Sequence, residues 1–437
     1  MSLRNLLLSY KVELLLFLII LFSLGVKFHD LEFPQSYYFD EVYFAFTAQE
    51  MAKGNKLAWQ VPGAEAEVPK DMAYEWTHPP LGKEISALGI LIFGDNTFGW
   101  RFFQAFFGVF GTILIFLLAR NLFNNSVGLL AALLYSLESF IFVLSRIAMV
   151  DIFMANFILL ASLFVVKYAK SRKTIYLLLT GAFCGAAMSV KWSGVYIAEF
   201  LAGVSFFLIY YNEVYSSDSE GRSYINSVLK IFPRMILAFV VIPLLVYIVT
   251  YIPFFYFGNS PVEFVDLQKA MFGYHGGVTD THPYFSEWWK WPLLLKPVYM
   301  QFEDLGGQHS HIYALGNPFV WWTGCLFVIM GVVQVIRKES PALIFIVVSF
   351  FAYWLPWALS PRKITFLYHF LPSLLFMLII SAYFLNSLWN KSRYGKLVVV
   401  IYIVIAAGVF YYFYPILSGA PLAPGTIDSY YWIQSWR

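Results

Sequence analysis

The chain has 437 residues, of which 60% are hydrophobic and 13% charged, with a formal net charge of +3. Soluble domains run at roughly 45–50% apolar and about 25% charged. A mean hydropathy of +0.67 therefore excludes a soluble globular fold, a disordered chain and a nucleic-acid-binding module alike. Two cysteines, Cys184 and Cys325, both in apolar runs, are too few for a disulfide framework.

A helix that crosses a hydrocarbon core of about 30 Å needs about 20 mainly apolar residues. Runs of that kind lie near 12–28, 97–120, 126–144, 147–168, 174–190 and 192–211. Others follow near 232–257, 317–337, 341–359, 364–388 and 396–415. About eleven spans make an all-α polytopic membrane protein, one transmembrane domain over 1–437. No small-x-small cleavage site follows the first run, which reads as a span and not as a signal peptide. No internal repeat is visible.

Basic residues in short loops mark the cytoplasmic side. They are Arg4, Lys11, Arg120, Lys167, Lys170, Arg172, Lys173, Arg222, Lys230, Arg234, Arg337, Lys338, Lys391, Arg393 and Lys396. The N-terminus joins them, and the tail 416–437 falls outside with two long loops, 29–96 and 258–316. All seven histidines lie on that outer side or at its membrane edge: His29, His78, His275, His282, His309, His311 and His369. Any chemistry is expected there.

Three short outer loops break the charge rule, with Arg146 in SRIAMVD, Lys191 in SVKWSG, and Arg362 beside Lys363 in PRKITFLYHF. A cation near the bilayer centre costs about 2.5–3.5 kcal/mol, less near the interface, so each needs an anion. A structural pair such as Arg146 with Asp151 is one reading, and a lipid phosphate is the other. Glu138 and Asp151 stand inside predicted spans and need partners or a hydrated cavity.

In the first outer loop, FDEVYFAFTAQEMAKGN reads as an amphipathic helix ending near Gly54 and opened by Asp40 and Glu41. Asp40 is either a plain helix cap or a general base at the membrane surface. Further on, EWTHPPLGKE sets His78 and Lys83 around a double proline that fixes extended backbone. Arg101, opening the second span, stands near that anion-binding group in the same reading. The aromatic stretch HPYFSEWWKWPLLL reads as an interfacial helix. Gly181 and Gly185 form a small-xxx-small step for packing within the chain or, alternatively, across a dimer.

FDEVY at 39–43, HPPLGK at 78–83, GWRFF at 99–103, SRIAMVDIF at 145–153 and GAAMSVKWSG at 185–194 occur in one order. HPYFSEWWKWPLLLKPVYM at 282–300, ALGNPFVWW at 314–322 and RKITFLYHFLP at 362–372 continue it. As a set these strings resemble the protein O-mannosyltransferases, polyprenyl-phosphate-dependent glycosyltransferases of family 39 with the GT-C membrane fold. The resemblance implies transfer of mannose from a polyprenyl- or dolichyl-phosphate-mannose to Ser or Thr hydroxyls of proteins outside the cytoplasm. It makes Asp40 the base on the acceptor hydroxyl and Glu41 the acid that helps hold the acceptor. His78 stands where related enzymes carry a His or Lys on the lipid phosphate. Loop 258–316 lacks the β-trefoil insert of eukaryotic members, which favours a prokaryotic plasma membrane over the endoplasmic reticulum. No soluble domain follows the last span, unlike the aminoarabinose transferases that modify lipid A.

A lipid phosphate leaves as an anion, so the chemistry needs one base and several cations, without a strong general acid. Asp40 is assigned the base, and a single displacement inverts the sugar carbon. His78, Lys191 and Arg362 are assigned the phosphate, with Arg101, Arg146 and His369 as further candidates. Asp151, Glu138 and Lys83 are the candidates to bind or orient the sugar. No cofactor or metal is expected; the spacing of His309 and His311 near Glu303 and Asp304 fits a loop as well as a ligand set. Two other functions compete: a GT-C transferase with a lipid or glycan acceptor, and a transporter or export subunit.

Overall fold

The computed structural model describes residues 10–63, 66–215, 231–277, 282–337, 340–360 and 362–437. Arg4, Arg222, Lys230 and Lys338 of the cytoplasmic basic set lie outside the described residues. Side chains that accept from a backbone N–H three residues on open many of the helices: Asn96, Asn124, Asn317, Ser340 and Ser392.

The chain starts with α1 (Lys11–Phe28), followed in the first outer loop by α2 (Glu41–Ala52) and α3 (Leu81–Phe93). Then come α4 (Thr97–Leu122), α5 (Asn125–Ser136), α6 (Ser139–Leu144), α7 (Asp151–Ser171), α8 (Thr174–Val190) and α9 (Val195–Tyr215). Next are α10 (Ile231–Val249), which includes a π-helical stretch, α11 (Ile252–Tyr256) and α12 (Pro261–Gly277). A hairpin of β1 (Val298–Asp304) and β2 (His309–Ala314) precedes α13 (Pro318–Ile336), α14 (Pro341–Trp354), α15 (Leu371–Lys391) and α16 (Arg393–Ser418).

Among the described residues, eight helical stretches are long and apolar enough to cross a membrane. The shorter apolar helices α5 and α8 and the charged-ended α1 occupy the other three expected runs. The chain is a multi-pass integral membrane protein. Its centre is α15, 83% of whose apolar window is buried, packed among α5, α13, α14 and α16. One end of the bundle, at the start of α9 and the ends of α8 and α14, meets the HPP turn before α3 and the end of α12, and that junction holds the candidate site.

Three local expectations change. The run 126–144 breaks at Leu137–Glu138, because the Glu138 carboxylate caps α6 through the Phe140 N–H (3.4 Å). The aromatic stretch forms only a 3₁₀ turn at Trp288–Lys290. Pro283, Pro292 and Pro297 cannot continue a helix, and Trp291 turns inward, fully buried, donating to Ser286 Oγ (3.1 Å). Loop 258–316 carries an antiparallel pair, Val298↔Ala314 to Asp304↔His309, in a chain read as all-α. The Gly181/Gly185 step is filled from within: a Cβ on Gly181 would lie 1.7 Å from the Ala238 carbonyl oxygen, and one on Gly185 2.7 Å from Pro243 Cα.

Candidate active site

Asp40 occupies the N-cap of α2 but makes no side-chain capping bond, and the residue before it, Phe39, is held at φ 50°. A non-glycine residue in that left-handed region costs energy that the surrounding fold must supply. The carboxylate is thus aimed by the turn without being used up as a cap. It is half-buried, and burial raises its pKa to about 7 despite the lowering fields of Lys191 and Arg362; Asp151 and Glu75 push the same way as burial. One turn along the helix, the Phe44 ring packs 5.7 Å from the His78 ring.

Glu41 faces the other way. It is fully buried and accepts from Arg101 Nε (2.8 Å) and Nη2 (2.7 Å), and from the amides of Ala148 (2.8 Å) and Tyr38 (3.3 Å). Arg101 also donates to the carbonyls of Leu31, Pro34 and Ser36. This pair locks the first loop onto α4, so neither the acceptor role expected of Glu41 nor the phosphate role expected of Arg101 fits its position. Arg146 is likewise committed, donating to the carbonyls of Lys27 (3.1 Å), His29 and Asp30 (2.7 Å) at the end of α1. It does not meet Asp151. Glu138 accepts from the Asn317 amide (3.1 Å) inside the bundle and lines no part of the site.

The HPP turn is built by Glu75, which the sequence reading left unassigned. Its carboxylate accepts from His78 Nδ1 (2.8 Å) and Lys83 Nζ (2.7 Å). Burial opposes the charge, but Lys83 and His78 hold the Glu75 carboxyl well below the usual range. Lys83 also donates to the carbonyls of Glu75 and His78 (2.8 Å to the latter), so it orients the turn from within. The signal was present in EWTHPPLGKE: a carboxylate three residues before the histidine and eight before the lysine.

Beside this turn lies a cavity of about 310 Å³. His78, Lys191, Arg362, His369 and His275 line it, together with Tyr196 of α9 and Trp357. Lys191, at the end of α8, donates to Asp151 Oδ1 (2.9 Å) and lies over the Tyr368 ring. Arg362 donates from Nε to the Ile364 carbonyl (2.9 Å). His369 Nδ1 lies 3.0 Å from both the N–H and the carbonyl oxygen of Phe366, so either tautomer finds a partner there, while Nε2 has no partner among the described residues. His309 and His311 sit on the hairpin, away from this cavity, and no group of three metal-ligating side chains forms among the described residues.

A second, apolar cavity of about 850 Å³ runs along α9, α7 and α14. It begins at Glu199 and Phe200, one helical turn from Tyr196 of the polar cavity, and continues past Val204, Phe207 and Phe345.

A multi-pass helical bundle with the Asp40 carboxylate in the field of a cationic cavity fits a membrane glycosyltransferase of the GT-C architecture. Residues 17–256 match the family model for dolichyl-phosphate-mannose-protein mannosyltransferase, and 262–436 match the C-terminal four-transmembrane region of protein O-mannosyltransferase. The chain belongs to the protein O-mannosyltransferase family. It is 26% identical over 428 residues to the polyprenol-phosphate-mannose–protein mannosyltransferase of Corynebacterium glutamicum, covering 82% of this chain and 81% of that one. The Mycobacterium tuberculosis protein of the same name is 26% identical over 424 residues, with the same coverage. Among solved structures, the S. cerevisiae Pmt1–Pmt2 complex bound to the sugar donor superposes with a TM-score of 0.83 at 16% identity, over 98% of this chain and 93% of that one. ArnT from Cupriavidus metallidurans bound to undecaprenyl phosphate gives 0.59 at 15% identity, over 90% and 63%.

Proposed function

We propose that this protein transfers mannose from a polyprenyl-phosphate-mannose to Ser or Thr hydroxyls of proteins on the outer face of a prokaryotic plasma membrane, with inversion at the sugar carbon. The observation that carries the mechanism is the uncapped Asp40 carboxylate, whose pKa of about 7 suits a base at neutral pH. Asp40 takes the hydroxyl proton as the hydroxyl oxygen bonds to the anomeric carbon. The bond from that carbon to the phosphate oxygen breaks, and polyprenyl phosphate leaves. Lys191 and Arg362, with His369 beside them on the cavity wall, receive the charge on the leaving group, the role fixed donors play best in a site shielded from water. The positive charge of Lys191 and Arg362 does the work a metal ion does elsewhere, and the reaction is read as metal-independent.

The apolar groove along α9 takes the isoprenoid tail, since it starts one turn from the polar cavity and offers an almost wholly hydrocarbon wall. Asp151, half-engaged by Lys191 with its Oδ2 free of partners among the described residues, faces a sugar hydroxyl in this reading. The test is transfer from labelled donor to a Ser/Thr peptide and, in parallel, to lipid acceptors. Label on peptide alone supports the proposal; label on lipid alone moves the enzyme to the other acceptor class.

A further inference from the structure

Two histidines of the cavity have a free nitrogen whose protonation is fixed by the partner of the other nitrogen. His78 Nδ1 faces the Glu75 carboxylate at 2.8 Å and the Thr77 hydroxyl at 3.0 Å. A carboxylate only accepts, and the Thr77 hydroxyl itself donates to Glu75. His78 Nδ1 therefore carries the proton, and Nε2 of a neutral ring is a bare lone pair. His275, near the end of α12, repeats the pattern in mirror form. Its Nε2 meets the Thr77 carbonyl at 2.8 Å, so Nε2 carries the proton and Nδ1 is the lone pair. Burial keeps both rings neutral at physiological pH, with pKa values lowered to about 3 and about 4.

His78 Nε2 and His275 Nδ1 are both shielded from solvent and have no partner among the described residues. The rings stand 5.1 Å apart, edge to face, on the same wall of the cavity. A buried acceptor left without a donor costs free energy that a ligand can restore. A phosphate, which offers only acceptors at neutral pH, cannot satisfy a lone pair; a sugar offers hydroxyl donors. The cations of the cavity, Lys191 and Arg362, are of the opposite kind: both are donors only.

We propose that His78 and His275 form a hydroxyl-accepting wall that reads the transferred sugar, and that His275 is a specificity residue of the site. This rests on the reading of the cavity as the donor site. It also moves His78 from the phosphate, where the sequence put it, to the sugar. His275 is positioned for the role by Tyr247 of α10, which donates to Gln268 of α12 (2.6 Å) and accepts from Trp192 (2.9 Å).

The test compares binding of polyprenyl phosphate and polyprenyl-phosphate-mannose to the full chain in lipid nanodiscs. His275→Ala should weaken the mannosyl lipid about tenfold and leave polyprenyl phosphate within about twofold. Equal loss for both lipids, or loss for neither, overturns the inference while leaving the donor site standing. If the variant does not fold, donors each lacking one sugar hydroxyl decide the matter on the wild-type chain. One of them should bind about tenfold more weakly than the parent, and uniform affinity across the series overturns the inference. Binding of neither lipid by the wild type removes the donor-site reading and this inference with it.

Discussion

Lys191 Nζ stands 2.9 Å from Asp151 Oδ1 and 4.9 Å from the centroid of the Tyr368 ring, with only 5% of the lysine exposed. A cation placed this way is held by one carboxylate oxygen and one aromatic face, and it still has donors for a ligand in the cavity. Removing it leaves Asp151 as an unpaired buried charge, which typically costs about 3–5 kcal/mol. Lys191→Ala should therefore lower the thermal midpoint and weaken donor binding together. The double variant Lys191→Met with Asp151→Leu should recover most of the stability without recovering donor binding. Recovery of both would take Lys191 out of the phosphate site.

If Asp40 is the base, it governs the pH dependence. A base must be ionised to act, and its pKa is raised to about 7. With kcat/KM reporting the free enzyme, the rate should rise with pH, reach half its plateau near 7, and stay level above. Asp40→Asn should reduce transfer at least about a hundredfold, abolish the rising limb, and leave donor binding unchanged. A variant that keeps near-normal turnover removes Asp40 from catalysis.

The Glu41–Arg101 pair predicts a different signature. Both side chains are fully buried, and breaking such a pair costs about 3–5 kcal/mol. Glu41→Ala and Arg101→Ala should each lower stability, and the activity of the folded fraction should fall in KM and kcat alike as the first loop loosens. A loss confined to KM for the acceptor peptide would restore the acceptor-holding role that the sequence suggested for Glu41.

Gly181 tests the packing of α8 on α10. A Cβ there would press on the Ala238 carbonyl oxygen, a backbone atom that cannot rotate aside. Gly181→Ala should destabilise the protein by about 1–3 kcal/mol with no change in donor specificity, measured by thermal unfolding in detergent.

Metal dependence is checked by chelation. If Lys191, Arg362 and His369 carry the phosphate charge, prior treatment with EDTA should leave the initial rate of transfer within about twofold. Loss of activity restored by one divalent ion would require a different account of the leaving group.

Much of the site was legible in the chain. Lys191 and Arg362 stood out because they run against the positive-inside rule in the expected topology, and both line the polar cavity. Arg146 broke the same rule and proved to hold the carbonyls at the end of α1. The rule detects an anomalous charge without saying which acceptors satisfy it. Asp40 and Glu41 are adjacent and chemically alike, yet one is open to the cavity's field and the other is enclosed by Arg101. Successive residues at a helix start diverge in direction by about 100°, so which acid serves chemistry depends on what packs against each face.

Run length and apolar composition by themselves determined that this chain crosses a membrane many times, because no other solvent accepts so much hydrocarbon. The spacing of charges and histidines also pointed to one end of the bundle, where the polar cavity lies. Only the tertiary structure joined His78, His275 and His369, nearly 200 residues apart at the first step and almost 100 at the second, around one hollow. It alone gave His78 and His275 the partners that decide on which nitrogen each of these two rings carries its proton. Those choices belong to the Thr77 carbonyl and the Glu75 carboxylate, whose directions exist only once the chain has folded.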